Sequence, residues 1–397
     1  MLEPSIPQLR AGARANVVHT DLNPCGGAEQ LAIATLQALV EMGARVDLTV
    51  ARKPDLRRLE DAFGKRVGAI FDRICETKPL GRLFEPDPAS YDITINTHGD
   101  ILPYYAPSLS RRNYVAYCHF PVAAEYVRDR DQFYLQNFVK MGLLDRADND
   151  AWEKVAENFR LLMQNSLVIT NSDFSRQAIA AYSANEPAVI APPVNVEEFR
   201  EILPAGPRAD SVLVVSRIHP SKKLENAVAL ARLLKDRGVG KELVIAGNLG
   251  SEDQCGQEYR AMLEDMARAQ GVSGYVKIKA NVKLEKLYSL MKKSKVYFHP
   301  LPGEPFGISV VEAMSAGLVP VVPDTGGPAE FVPRTYQFHS LQQAADIVES
   351  SMDAPDAARA ALSESVKRFS LAEYVRSLQK FTSQMLGVGT SPTIAAA

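Results

Sequence analysis

Short apolar runs alternate with stretches of helical spacing along most of the chain. "ANVVHT" (15–20) leads into a helix-like stretch from Gly27 to Met42 and then "RVDLTV" (45–50). "YDITINTH" (91–98), "NYVAYCHF" (113–120), "SLVITNS" (166–172) and "PAVIAPPV" (187–194) follow. These runs are apolar nearly throughout rather than at every second position, as in strands buried on both faces. Their alternation with helices predicts a parallel sheet covered on each side. The order then restarts. "SVLVVSR" (211–217) precedes a helix near 224–237, "ELVIAGN" (242–248) one near 256–270, and "YVKIKAN" (275–281) one near 284–293. "KVYFHPL" (295–301) comes before a short helix of small residues, and "LVPVVPD" (318–324) closes the series. The proline- and turn-rich segment 191–210 marks the join. The expected division is an N-terminal Rossmann-like domain over 1–200 and a second over 201–370, with a helix over 371–387 crossing back to the first and a flexible tail over 388–397. Open parallel sheets bind ligands at the carboxyl ends of their strands. The fold class is therefore α/β, two doubly wound domains facing across a cleft.

Composition narrows the function. The chain has 397 residues, 46% hydrophobic and 23% charged, an ordinary soluble composition. A net charge of −2 gives no overall field to attract nucleic acid. The basic stretches "RKPDLRR" (52–58), Arg111 with Arg112, and Lys292 with Lys293 read first as solvated surface. Four dispersed cysteines without a C-x-x-C pair fit reduced cytosolic thiols, not a disulfide framework or a zinc site. No signal peptide and no run of ~20 apolar residues is visible, so the expected location is cytoplasmic, with peripheral attachment to a membrane face still open.

The unusual polar residues cluster just after strands. In "GEPFGISVVEAMSAG" (303–317) a helix is expected to begin near 306–309, and its first amides, those of Phe306, Gly307 and Ile308, suit an anion. Gly307 lets the backbone approach a phosphate closely. Glu312 lies one and a half turns on, beside the small Ser309 and Ala316, where a carboxylate can accept hydrogen bonds from a ribose diol. Glu304, before the helix, points toward whatever the phosphate carries. The plainer reading makes Glu304 a loop residue and Glu312 a surface one. In "SRIHPSKKLE" (216–225), Arg217 and Lys222 suit a pyrophosphate, with Lys223 as a substitute for Lys222, or they form a solvated basic loop. In "DLNPCGGAEQ" (21–30), Gly26 and Gly27 open a long helix and suit close approach to a phosphate or sugar, while Glu29 complements the helix dipole. His119 ends a strand and is either a satisfied core histidine or a ligand contact; His98 and His19 are weaker candidates of the same kind. There is no G-x-S-x-G elbow and no Walker loop. Asp129–Asp131 and Asp148–Asp150 resemble D-x-D pairs but lie in polar helical stretches and read as surface charge.

Taken together, these residues resemble the retaining glycosyltransferases of the GT-B fold, family 4. "EPFGISVVEAMSAG" corresponds to the family's E-x7-E motif, "SRIHPSK" to its Arg/Lys pair, "GGAE" to its N-terminal glycine loop, and "TGGPAEFV" (325–332) to the loop that follows. The resemblance covers nearly the whole chain. It implies that Glu312 binds the donor ribose, that Glu304 holds the transferred sugar, and that Arg217 and Lys222 hold the diphosphate and stabilise the charge of the departing nucleotide. It further implies that His119 hydrogen-bonds the donor sugar, that Val282 contacts the base, and that no essential metal is needed. Among subfamilies the chain looks most like the eukaryotic α-1,2-mannosyltransferases that extend lipid-linked oligosaccharides from GDP-mannose. Those carry a membrane anchor, and no such segment is expected from this sequence. A lipid-linked acceptor implies docking on a membrane surface through the N-domain, with Tyr104, Tyr105, Leu109, Arg111 and Arg112 as the candidate segment. Rival readings are a UDP-sugar donor, an epimerase or phosphorylase on the same fold, and a non-catalytic nucleotide-sugar sensor.

Overall fold

The structure, a computed structural model, describes residues 8–63, 67–76, 87–100, 113–140, 144, 146–203, 207–249 and 254–387. The candidate membrane segment 104–112 and the tail 388–397 lie outside the described residues. The chain divides into two units. The first runs to Pro193 and takes in the chain from Leu371 on, and the second is Val194–Ser370, starting a few residues before the expected boundary.

In the first unit seven strands form one parallel sheet: β1 (Arg14–Asp21), β2 (Arg45–Arg52), β3 (Arg73–Glu76), β4 (Ile93–Asn96), β5 (Tyr114–Tyr117), β6 (Leu167–Thr170) and β7 (Ala188–Val189). Their order is β3-β2-β1-β4-β5-β6-β7, so the direction of winding reverses between β1 and β4. β1, β4 and β5 are buried along almost their whole length, which is why they read as continuous apolar runs. β3 was not foreseen: at the sheet edge "RICE" is only half buried and carries charge at both ends. β7 is shorter than the expected run 187–194 because Pro192 and Pro193 have no N–H for the ladder. The long helix α1 (Gly27–Glu41) packs its Leu31, Leu36 and Leu39 into the sheet, each such side chain contributing about 1.5–3 kcal/mol. The final helix, Leu371–Leu386, lies on α1, where Tyr374 Oη meets Thr35 Oγ1 at 2.6 Å and Tyr374, Val375 and Leu378 join the same core.

The second unit has six parallel strands: β8 (Ala209–Val215), β9 (Glu242–Gly247), β10 (Val276–Ala280), β11 (Ser294–Phe298), β12 (Val319–Pro323) and β13 (Gln337–Phe338). Their order, β10-β9-β8-β11-β12-β13, reverses between β8 and β11. Where the winding reverses, the loops after the two flanking strands diverge and leave a crevice at the carboxyl edge. Each unit therefore has one crevice set by topology. In the first it is bordered by the loops after β1 and β4, and in the second by the loops after β8 and β11.

Candidate active site

In the second unit the loop after β8 carries Arg217 and Lys222, and the loop after β11 carries His299 and Glu304. Gly247 holds the first loop in place: a Cβ there would lie 1.6 Å from Ser216 O, so no side chain is compatible with the path. Ile218, buried, donates its N–H to Asn248 O at 3.0 Å. Between these anchors Arg217 is exposed, and a short 3-10 turn, Pro220–Lys222, carries Lys222 inward. Lys222 Nζ then donates to Glu304 Oε2 at 2.9 Å, across 82 positions of sequence.

Glu304 is set by the loop that follows β12. Gly327 N donates to Glu304 O at 2.8 Å, and a Cβ on Gly327 would lie 2.1 Å from Pro305 O. The glycines of "TGGPAEFV" are therefore a packing requirement of the Glu304 loop. Burial alone would raise the Glu304 carboxyl. The neighbouring His299 ring and the Lys222 ammonium outweigh it and hold the carboxyl down at about 2. His299 Nε2 stands 3.7 Å from Glu304 Oε2, beyond hydrogen-bond reach, so its influence is electrostatic. Among the described residues neither nitrogen of the buried His299 ring has a hydrogen-bond partner. Sequence reasoning passed over His299, although its position just after β11 follows the same strand-end rule that picked out His119.

The helix Ile308–Ser315 begins two residues later than the earliest expected start, with Gly307 as its N-cap at φ +90°. That left-handed backbone favours glycine, and a Cβ there would also lie 2.8 Å from Pro328 Cγ. The amides of Phe306, Gly307 and Ile308 carry no backbone or side-chain partner among the described residues, which leaves an anion-ready helix start. Phe306 contributes only its backbone, because its ring packs between Phe331 and Phe369 at centroid distances of 5.6 and 5.2 Å. Glu312 has no hydrogen-bond partner among the described residues. Burial, with the nearby Glu198 carboxylate adding to it, pushes Glu312 up to about 8. It is neither a fully buried ion pair nor a free surface acid, but a carboxyl waiting for donors. Ser309, expected to leave room, hydrogen-bonds Tyr297 Oη at 2.7 Å. Val282 lies between β10 and the helix Leu284–Lys293, partly exposed.

The crevice of the first unit gathers all three histidines singled out above. His19 and His98 stack at 4.3 Å, and His119 meets His98 edge-on at 6.2 Å. Burial drives each ring toward neutrality: His19 falls to about 3, His119 to about 4 against a hydrogen bond with the Thr97 backbone, and His98 well below its ordinary value. The Thr97 hydroxyl donates to Val18 O (2.9 Å), so it accepts from His19 Nδ1 (2.9 Å) and leaves His19 Nε2 as an acceptor. With that ring neutral, its 3.5 Å approach to Glu29 Oε1 is not an ion pair. Glu29 does more than complement a dipole. It is buried and accepts the Gly26 N–H at 2.5 Å, so the Gly26 amide is already engaged and only its lack of a side chain serves a ligand. Gly27 is the first helical residue of α1. His119 Nε2 is buried without a partner among the described residues, which suits a hydrogen bond between a ligand and a neutral ring.

The aspartates with D-x-D spacing serve local structure. Asp148 caps the helix Asn149–Asn165 by accepting from Ala151 N at 3.0 Å, and Asp129 pairs with Arg128. Among the described residues no group of three His, Cys, Asp or Glu side chains is placed to hold a metal ion, and no helix is long and apolar enough to cross a membrane.

Two parallel Rossmann-like units, one carrying an anion-ready helix start preceded by the paired Lys222 and Glu304, have the architecture of the GT-B fold. Residues 195–368, somewhat under half of the chain, match the family "Glycosyl transferases group 1". The chain is 26% identical over 268 residues to a Caenorhabditis elegans protein named GDP-Man:Man(3)GlcNAc(2)-PP-Dol alpha-1,2-mannosyltransferase, a match spanning 63% of this chain and 56% of that one. It is also 26% identical over 247 residues to a probable sucrose-phosphate synthase of Thermosipho melanesiensis, covering 58% of this chain and 53% of that one. The chain thus spans about half the length of these curated relatives. Its fold superposes on the sucrose-phosphate synthase of Thermosynechococcus elongatus with a TM-score of 0.67 at 15% identity, over 94% of this chain and 99% of that one.

Proposed function

We propose that this chain transfers a mannosyl group from GDP-mannose, with retention of anomeric configuration, to a glycan or lipid-linked oligosaccharide acceptor. The observation that carries the reading is the Lys222–Glu304 pair at 2.9 Å beside the unpartnered amides of 306–308. In this reading the donor diphosphate sits on those amides between Arg217 and Lys222, which neutralise charge as the nucleotide departs. Glu312 takes the ribose diol and Val282 lies against the base. Glu304, held ionised, accepts from hydroxyls of the transferred sugar. His119, neutral, hydrogen-bonds the sugar, and Gly27 lets it approach the start of α1. Mannose and GDP as donor components, and the lipid-linked acceptor, rest on the names of the relatives. Attachment to a membrane surface on the cytoplasmic side belongs to the same proposal.

The test is GDP release from GDP-mannose, with and without a lipid-linked oligosaccharide, alongside UDP-glucose and ADP-glucose. Acceptor-dependent GDP release supports the proposal. Release from a UDP-sugar alone replaces the donor, and binding without turnover of any donor replaces the enzyme with a nucleotide-sugar sensor.

A further inference from the structure

The basic stretch 52–58 has no place in the donor site. In the structure it lines an open depression of about 570 Å³ on the first unit, between the loop after β1 and the loop after β2. Its polar lining is Asp21, Asn23, Arg52, Lys53, Asp55 and Arg58. Three cations face two carboxylates there, but the carboxylates are committed. Asp21 accepts from Asn23 N (2.9 Å) and Asn23 Nδ2 (2.6 Å), and pairs with Arg52 at 3.6 Å. Asp55 accepts the backbone N–H groups of Arg57 (3.1 Å) and Arg58 (3.2 Å). Asn23 ties the two loops together, donating to Lys53 O (3.1 Å) and accepting from Asp55 N (2.7 Å), so the depression has a fixed floor. Lys53 and Arg58 are left exposed with no carboxylate partner among the described residues. Arg58 lies beside the Cys25 thiol, immediately before Gly26 and Gly27.

We infer that this depression binds a phosphate or diphosphate group, and that the group is carried by the acceptor. A doubly charged oxyanion matches a guanidinium fork and an ammonium left without counter-charges. The donor diphosphate has its own cations, Arg217 and Lys222, on the other unit. The depression also lies at the carboxyl edge of β1 and β2, beside the crevice that holds the three histidines. The assignment to the acceptor rests on the transferase reading above; the phosphate site itself does not.

Inorganic pyrophosphate titrated calorimetrically into the full chain, with GDP already saturating the nucleotide site, tests the inference. The parallel titration uses the Lys53→Ala/Arg58→Ala double variant. Wild-type protein is expected to bind pyrophosphate, more weakly as salt is raised, and the double variant to bind it on the order of tenfold more weakly. Equal affinity in the two proteins, or no binding by the wild type, overturns the site. Both side chains are exposed, so the variant is expected to keep its fold, and its unchanged rise in Tm with GDP verifies that. If GDP stabilises neither protein, the transferase reading falls, and the same pyrophosphate titration without nucleotide still decides the depression. Two competitors then identify the carrier: mannose 6-phosphate in solution, and a polyprenyl diphosphate in neutral phosphatidylcholine vesicles. Displacement of pyrophosphate by either supports an acceptor phosphate site, and displacement by neither overturns the acceptor assignment.

Discussion

In the proposed donor site, Glu312 couples donor binding to protons. Its carboxyl is pushed up to about 8 because it is largely buried and because Glu198 lies nearby, and among the described residues it has no hydrogen-bond donor. At pH 7 most unliganded molecules therefore carry it protonated. A ribose diol donates two hydrogen bonds, which favour the ionised form and return the pKa toward the ordinary carboxylate value of about 4.3. Between those two values, each unit of pH below 8 lowers donor affinity by up to tenfold, or about 1.4 kcal/mol. From pH 9 to pH 6 the full effect is roughly hundredfold; the partial exposure of Glu312 screens it, and at least about tenfold is expected. GDP-mannose suits the experiment, because its diphosphate is esterified at both ends and does not titrate in this range. Calorimetry at pH 7 in buffers of different ionisation enthalpy should show protons released on binding. Glu312→Gln should bind more weakly at pH 9 and lose both the pH slope and the proton release. An affinity independent of pH in the wild type, or an unchanged slope in the variant, would refute the role given to Glu312.

Other outcomes follow from the same geometry. Glu304→Gln should lower kcat far more than donor affinity, read by comparing turnover with GDP-mannose binding; equal losses in both would dissolve the division of labour between the two glutamates. Lys222→Met leaves the buried Glu304 carboxylate without its cation and should cost about 1–3 kcal/mol in urea unfolding at pH 7. Glu304 is depressed to about 2, so its contribution to stability is present above the ordinary carboxylate value and lost as pH falls through about 2. The Lys222→Met penalty should therefore shrink on going from pH 7 to pH 3. His299→Ala should lower kcat by about tenfold or more through a misplaced Glu304, with donor affinity little changed. An unaltered kcat would mean that the His299 ring is mere filling. Gly327→Ala should lower Tm, since its Cβ would lie 2.1 Å from Pro305 O and overpacking of this kind costs about 1–3 kcal/mol.

The sequence by itself determined the doubly wound class and where the strands lie, because strands buried on both faces leave continuous apolar runs such as 211–217 and 318–324. It also showed which loops hold the polar chemistry, since Arg217, Lys222, Glu304 and His119 stand next to those runs. Much of what it left open depends on residues distant in sequence. The ionised state of Glu304 arises from His299 and from an ammonium 82 positions away, and the protonated state of Glu312 from its burial, with Glu198 on another helix adding to it. The stacking of His19 on His98 appears only once β1 and β4 lie side by side in the sheet, whereas the engagement of the Gly26 amide by Glu29 and the nearness of His299 to Glu304 are local contacts set by the path of one loop. The short β3 and β13 escaped notice for a related reason: an edge strand is half solvated and carries no apolar run of its own. Periodicity is local and survives in the linear chain. The charge state of a carboxyl or imidazole depends on burial and on neighbours brought by other loops, and that only the tertiary structure decided.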